Sequence, residues 1–307
     1  MLQAIHRDPL MRVSAIGVPT RSTQRGENDM PDDVRVLHDA LARLREYKKG
    51  EPLTLDLKNC GTALRFLQVH LAQCYLGEPI QLTGDARLME RDGAPTTQTT
   101  SAMIMHGADV PAEADESPYI TMTRRVVQAY PNVRPEQDWS SAAFWYEHVA
   151  LHGGELLLEG LTDESLQGDR VVADIYAAHF GVQTTFTAEG AHLSAISHCP
   201  LAIGRQQPTV VKIDFTNCPD LYPAVALTCE RLGIILHATG TERLAYKESN
   251  RLEAVARHET RHDHRMAMAL LVAGWPVDDT DCIAKSYPAF MEQWRAIRAN
   301  ATAAITV

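Results

Sequence analysis

The chain is poor in several things, and each absence removes a class of function. No apolar stretch is long enough to span a bilayer, so no membrane span is expected. No basic run occurs: 29 Lys and Arg stand against 39 Asp and Glu, a formal charge of −10, and a nucleic-acid partner is not expected. The six cysteines (Cys60, Cys74, Cys199, Cys218, Cys229 and Cys282) contain no C-x-x-C pair. They read as reduced thiols of a cytoplasmic protein rather than a disulfide framework. Near the N-terminus Arg7, Asp8 and Arg12 interrupt any apolar run, so no signal peptide is expected. His258, His262 and His264 lie close together but fit no common zinc spacing, and no metal is expected.

What is present is an ordinary globular composition, 45% hydrophobic and 22% charged over 307 residues, enough for two cores. Cations that serve an anionic substrate must then be concentrated locally against an acidic background. Two stretches do this: Lys247-Glu248-Ser249-Asn250-Arg251-Leu252 and Asp263-His264-Arg265-Met266-Ala267-Met268. Each sets cations beside a carboxylate or a histidine where an apolar helical pattern begins. Helix amides and cations then face the same place, a means of holding a multiply charged anion while moving protons.

A unit recurs along the chain. Leu156-Leu157-Leu158 reads as a strand, Gly168-Asp169-Arg170 opens a helix faced by Val172, Ile175, Ala178 and His179, and Gly181 ends it. Strands over 182–187 and 191–196 follow. Another copy begins at Asp32-Asp33, with Val34, Leu37, Leu41 and Leu44 at helical spacing, then a strand over 53–57. Further helices are expected over 61–76 and from Pro219-Asp220 to Gly233. Strands alternating with helices predict an α/β or α+β protein built by repetition. Pro131-Asn132-Val133-Arg134-Pro135 reads as a linker between domains, and residues 92–117 as irregular polar chain apart from 102–104.

Eight segments, in order, carry a family resemblance. They are 59–65 (Asn-Cys-Gly-Thr-Ala-Leu-Arg), 84–91 (Gly-Asp-Ala-Arg-Leu-Met-Glu-Arg), 117–123 (Ser-Pro-Tyr-Ile-Thr-Met-Thr), 138–142 (Asp-Trp-Ser-Ser-Ala), 167–169 (Gln-Gly-Asp), 247–251, 263–268 and 284–288 (Ala-Lys-Ser-Tyr-Pro). The chain resembles the 5-enolpyruvylshikimate-3-phosphate (EPSP) synthases, or 3-phosphoshikimate 1-carboxyvinyltransferases, from about Asn28 to Ile297. The resemblance implies a two-domain inverse α/β barrel of repeated βαβαββ units, some of them truncated here. It implies an N-terminal domain over 18–134 on the shikimate-phosphate side, and a C-terminal domain of 1–17 with 135–307 on the phosphoenolpyruvate side. Both substrates would lie in a cleft between the domains. The family joins shikimate 3-phosphate to phosphoenolpyruvate, releases phosphate, and uses neither metal nor organic cofactor. The expected partners are therefore these two small molecules, with no nucleic acid and no membrane.

By motif position the resemblance assigns Arg91, Arg251, Arg265 and Lys285 to phosphoenolpyruvate. Guanidinium forks suit carboxylate and phosphate edges, and a lysine adds a point charge. Thr96, Thr97 and Gln98 fall where the family has Ser-Ser-Gln, and with Tyr119 and Lys247 they would grip shikimate 3-phosphate. Asn59, Gly61, Thr62 and Arg65 would shape a helix N-terminus facing phosphoenolpyruvate. Asp220 would bond the attacking hydroxyl, and Glu248 with Lys247 would move protons at the methylene carbon. For each residue the plainer reading is a solvated charge, a polar turn or a helix-start residue.

The pattern also has gaps. The family's N-terminal Lys-Ser-x-Ser-Asn-Arg motif is missing, and Arg21, Ser22 and Arg25 are the polar residues nearest its place. Asp92 follows Arg91 where the family has proline, and the chain is shortened both there and between Arg251 and Asp263. Three readings follow: a compacted, active enolpyruvyl transferase; a degenerate relative that binds anions or a protein partner; and the sister enzyme acting on a UDP-sugar, whose loop cysteine has no counterpart here.

Overall fold

The computed structural model describes residues 30–90, 96–108, 110, 117–133, 136–196, 209–299 and 302–306. They fall into two compact units that divide between Pro135 and Glu136. Arg91, residues 1–29 (with Arg21, Ser22 and Arg25) and Cys199 lie outside the described residues, as do parts of the 131–135 linker and of 92–117.

Unit 1 runs α1 (Asp32–Arg45), β1 (Leu53–Asp56), α2 (Gly61–Cys74), β2 (Ile80–Thr83), α3 (Ala86–Glu90), α4 (Thr97–Met105) and α5 (Pro118–Ala129). Asp32 and Asp33 in the first turn of α1 and Arg43 and Arg45 in its last complement the helix dipole. Strands β1 and β2 pair in parallel, Leu53 opposite Ile80 and Asp56 opposite Thr83, with α2 as the crossover. Leu41, Leu44, Leu55, Leu57, Ala63, Leu64, Leu67 and Leu88 form the core beneath this βαβ piece. Helix α4 corrects the expectation of irregular chain after residue 92. Threonines are poor helix formers, but the Thr96 side chain caps the Thr99 amide, and α4 packs on α2 and α5.

Unit 2 runs α6 (Trp139–His152), β3 (Glu155–Glu159), a 3-10 turn at Gly168–Val171, α7 (Val172–His179), β4 (Val182–Phe186), β5 (Gly190–Ala195) and β6 (Val210–Asp214). A 3-10 turn at Pro219–Leu221 then leads to α8 (Tyr222–Arg231) and β7 (Ile235–Thr239). After a 3-10 segment at Glu242–Tyr246 come α9 (Arg251–Arg257), α10 (His264–Ala273), a 3-10 turn at Asp281–Lys285, α11 (Phe290–Ala299) and β8 (Thr302–Thr306). Helix α6 is buried on nearly every side, so its aromatics cannot be read as an amphipathic stripe: Trp139, Phe144, Trp145 and Tyr146 are all core. Helices α7, α8 and α10 pack around it.

The sheet order is β4-β5-β3-β8, with β4-β5-β3 antiparallel and β8 parallel to β3, Glu155 opposite Thr302. With α6 and α7 this is one whole βαβαββ unit whose first strand is supplied from residues 302–306. The second sheet is only β6 and β7, parallel, Val210 opposite Ile235, with α8 between them. Two of the three repeats, β1-α2-β2 and β6-α8-β7, are thus cut to a βαβ core among the described residues, and the sheets are not closed.

The two truncated repeats share a signature at the first strand's end. Asp56-Leu57-Lys58-Asn59-Cys60 leads into α2, and Asp214-Phe215-Thr216-Asn217-Cys218 leads toward α8. Leu57 N donates to Thr83 O and Phe215 N to Thr239 O, each at 2.8 Å. The carboxylate of Asp56 accepts from Lys58 N at 3.0 Å, and that of Asp214 from Thr216 N at 2.9 Å. Gly84 and Gly240 follow the second strands, where a Cβ would strike Lys58 O or the Thr216 backbone; Gly240 also has φ +67°.

Candidate functional site

In unit 2 five short segments meet. Asp220 lies in the 3-10 turn before α8, Lys247 and Glu248 follow the 3-10 segment, and Arg251 opens α9. Asp263 caps α10, its carboxylate accepting from Arg265 N at 3.0 Å, and Lys285 ends the last 3-10 turn.

Arg251 is the hub. Only 2% exposed, its guanidinium donates to Asp220 Oδ1 at 2.6 Å, and to Asp263 Oδ2 through Nε at 2.8 Å. Ser249 Oγ adds a bond to Asp263 at 3.0 Å. Asp220 also takes Lys247 Nζ at 3.1 Å and Arg265 Nη2 at 3.4 Å. Glu248 holds His264 Nδ1 at 2.8 Å on one oxygen and Lys285 Nζ at 3.1 Å on the other. Neighbouring Lys247 and Glu248 thus reach different carboxylate centres, and Glu248 works with His264 and Lys285.

The electrostatics follow from these contacts. Burial works to raise Asp220, but Arg265, Lys247 and Arg251 outweigh it and hold the carboxyl well below its ordinary range. Burial opposes ionisation of Glu248 too, and His264, by charge and hydrogen bond, then Lys285 and Arg251, overcome it. Asp263 is likewise depressed, chiefly by Arg251 against burial. Asp169, in the turn before α7, goes the other way: burial first and then the Asp220 charge push it up to about 7, although Ser140 Oγ donates to it. Glu248, Asp263 and His264 also lie close enough together to hold a metal ion, but the cations already paired with both carboxylates neutralise that cluster.

Four fixed cations therefore face three carboxylates held ionised. One guanidinium nitrogen, Arg265 Nη1, is buried and has no hydrogen-bond partner among the described residues; His264 Nε2 is in the same position. A buried guanidinium donor lacking an acceptor is costly in isolation. It is also where an anionic oxygen is best received.

Unit 1 holds the other group of sequence-derived candidates. Asn59 lies in the turn before α2, and Gly61 and Thr62 begin the helix. Gln98 Nε2 donates to Thr62 Oγ1 at 2.9 Å, while Arg65 Nη1 donates to Gln98 Oε1 at 3.1 Å and to Gly61 O at 3.0 Å. Thr96 caps α4, Thr97 begins it, and Tyr119 lies in the first turn of α5. Reading the sequence gave Asp169 and Ser140 no place in the site, and put Asp263 and His264 in an anion-holding stretch without a role of their own. Asp263 carried a usable signal, a helix-capping aspartate just before an apolar run. The other two histidines of the 258–264 group go elsewhere: His258 stacks on Trp275 and bonds Glu230, and His262 bonds Asp279 at 2.6 Å.

Comparison with known proteins gives this arrangement a family. A model described as EPSP synthase (3-phosphoshikimate 1-carboxyvinyltransferase) matches residues 92–258 and 255–294. The 3-phosphoshikimate 1-carboxyvinyltransferase of Methanospirillum hungatei JF-1 is 28% identical over 259 residues, covering 72% of this chain and 56% of that protein. The chain thus spans little more than half the length of this relative. That of Bacteroides fragilis ATCC 25285 is 27% identical over 373 aligned positions, covering 87% of this chain and 88% of its own. That alignment is longer than the chain, so it crosses long gaps here, as the truncated repeats require. Among solved structures, an EPSP synthase from Acinetobacter baumannii superposes with a TM-score of 0.50 at 19% identity, covering 81% of this chain and 79% of that one. The fold is that of the inverse α/β barrel proteins, and the chain belongs to the EPSP synthase family.

Proposed function

We propose that this protein transfers the enolpyruvyl group of phosphoenolpyruvate to the 5-hydroxyl of shikimate 3-phosphate, releasing phosphate, in the pathway to chorismate and the aromatic amino acids. The observation that carries the reading is the cation cluster of Lys247, Arg251, Arg265 and Lys285, in which Arg251 and Lys285 are buried and the other two half-buried. It is threaded with carboxylates and has one guanidinium donor, Arg265 Nη1, without a hydrogen-bond partner among the described residues. The reaction brings phosphates and carboxylates together, and their repulsion must be offset by fixed cations.

In this reading Arg265 and Lys285 receive phosphoenolpyruvate. The outsider Arg91 is proposed to join them. Arg251 positions both Asp220 and Asp263 and so fixes the shape of the cluster. Asp220 accepts the hydrogen bond of the attacking hydroxyl. Its basicity is low while three cations hold it, and it rises as substrate anions draw those cations away. Glu248, with His264 and Lys285 on its two oxygens, stands where a proton is delivered to the methylene carbon and later removed. Thr96, Thr97, Gln98 and Tyr119 of unit 1 are proposed to bind shikimate 3-phosphate, as is Lys247 of unit 2, and Asn59, Gly61, Thr62 and Arg65 are proposed to bind phosphoenolpyruvate. No helix of the described residues is long and apolar enough to cross a membrane. A cytoplasmic location is part of the proposal.

The test is phosphate release by the pure chain with both substrates. Release that needs both, and that Lys285→Ala abolishes, supports transfer. A folded protein that binds either anion without release is a binding relative, and the proposed turnover is then wrong.

A further inference from the structure

Unit 1 contains a side-chain cluster that the proposed chemistry does not use. His70 and Cys74 lie one turn apart on α2 and so share a face of that helix. His106 terminates α4, which packs on α2. One ligand atom from each of the three falls within 4.8 Å of the others. His70 Nδ1 and His106 Nε2 are 3.3 Å apart, with the rings tilted by 36°.

Those distances have a chemical reading. A tetrahedral centre with bonds of about 2.05 Å to nitrogen holds two imidazole nitrogens about 3.3 Å apart, and a nitrogen and a thiolate sulfur about 3.6 Å apart. The imidazole edge already has that length. Cys74 is exposed at the end of its helix, and rotation about its first side-chain bond is the freedom by which its sulfur can approach the two nitrogens. His70 is 3% exposed, and its Nε2 has no hydrogen-bond partner among the described residues. The polar contact of this buried ring is thus the one directed at His106.

We propose that His70 Nδ1, Cys74 Sγ and His106 Nε2 bind a borderline divalent transition-metal ion such as zinc, with water as the fourth ligand on the exposed side. Two imidazoles and a thiolate select such an ion over magnesium or calcium, which take oxygen ligands. Binding forms one metal–sulfur bond and sends the thiol proton to solvent. The ion clamps the last turn of α2 to the end of α4, the two helices that carry Arg65 and Gln98.

The full chain, stripped with a chelator, is titrated with cobalt(II) and then challenged with zinc(II). The expected spectrum has intense tetrahedral ligand-field bands and a thiolate-to-cobalt charge-transfer band, both bleached by zinc. Cys74→Ser loses the charge-transfer band with unchanged far-ultraviolet circular dichroism. His106→Gln weakens cobalt binding by more than the roughly 10–100-fold cost of losing an outer-shell partner. Absence of binding, a purely octahedral spectrum, or a charge-transfer band that persists in Cys74→Ser overturns the proposal. If His106→Gln does not fold, Cys74→Ser decides alone.

Discussion

The repeats β1-α2-β2 and β6-α8-β7 are built on the same backbone plan and carry opposite chemistry. Each closes its first strand with Asp-x-x-Asn-Cys, bonds the residue after the aspartate to the threonine that ends the second strand, and follows that threonine with a close-packed glycine. They part at the second position after the shared cysteine. Thr62 there meets the neutral amide of Gln98, whereas Asp220 meets Lys247, Arg251 and Arg265. At one position of a common platform, one repeat thus places a hydroxyl beside an amide and the other a carboxylate among three cations.

The largest effect should come from breaking the charged repeat at its hub. Arg251→Ala leaves the buried Asp263 without its main counter-charge and Asp220 without one of its three, and should cost about 3–5 kcal/mol, read by urea denaturation. The matching cut in the neutral repeat, Gln98→Ala, should cost only about 1 kcal/mol. Similar losses in both would erase the contrast. Glu248→Gln keeps the shape and removes the carboxylate proposed to accept the proton. It should lower kcat by about 10²–10⁴-fold with little change in KM, and a wild-type kcat would remove Glu248 from proton transfer. Gly240→Ala should destabilise more than Gly84→Ala by thermal melting. Both meet backbone, but of the two only Gly240 has a left-handed φ.

A gentler probe is pH. Asp169 sits at about 7 in the folded protein against an ordinary 3.8, so folding takes up a proton there. Its contribution to stability is complete below about pH 4 and is lost as pH rises through about 7. Asp169→Asn should flatten that part of the stability profile, measured by denaturant midpoint across the range. Thr62→Val, in the neutral repeat, should leave the slope as it was.

Much of the repeat architecture could be read from residue patterns. Val34, Leu37, Leu41 and Leu44 mark α1, and Gly168 and Gly181 bracket α7, because local periodicity and glycine stops act within a few residues. The ring of charge around Arg251 was visible in part: the cations and the carboxylates of Asp220 and Glu248 stood out by motif, but which cation meets which acid did not. Asp220 meets Arg251 across 31 residues, and Asp169 meets Ser140 across 29, and nothing local foretells such pairings. Helix α4 escaped because its threonines argue against a helix and only packing on α2 and α5 outvotes them. The imidazole pair of unit 1 escaped for the same reason as the acids, since His70 and His106 stand 36 positions apart.

Strand β8 has a consequence for biosynthesis. Because Thr302 lies opposite Glu155 in the four-stranded sheet, β3 emerges from the ribosome long before its parallel neighbour exists. Until then the β3 edge offers unpaired amides and carbonyls to any extended segment nearby. The nascent chain must hold that edge through the synthesis of the whole cation cluster, so the four-stranded sheet is completed only once residues 302–306 have been made.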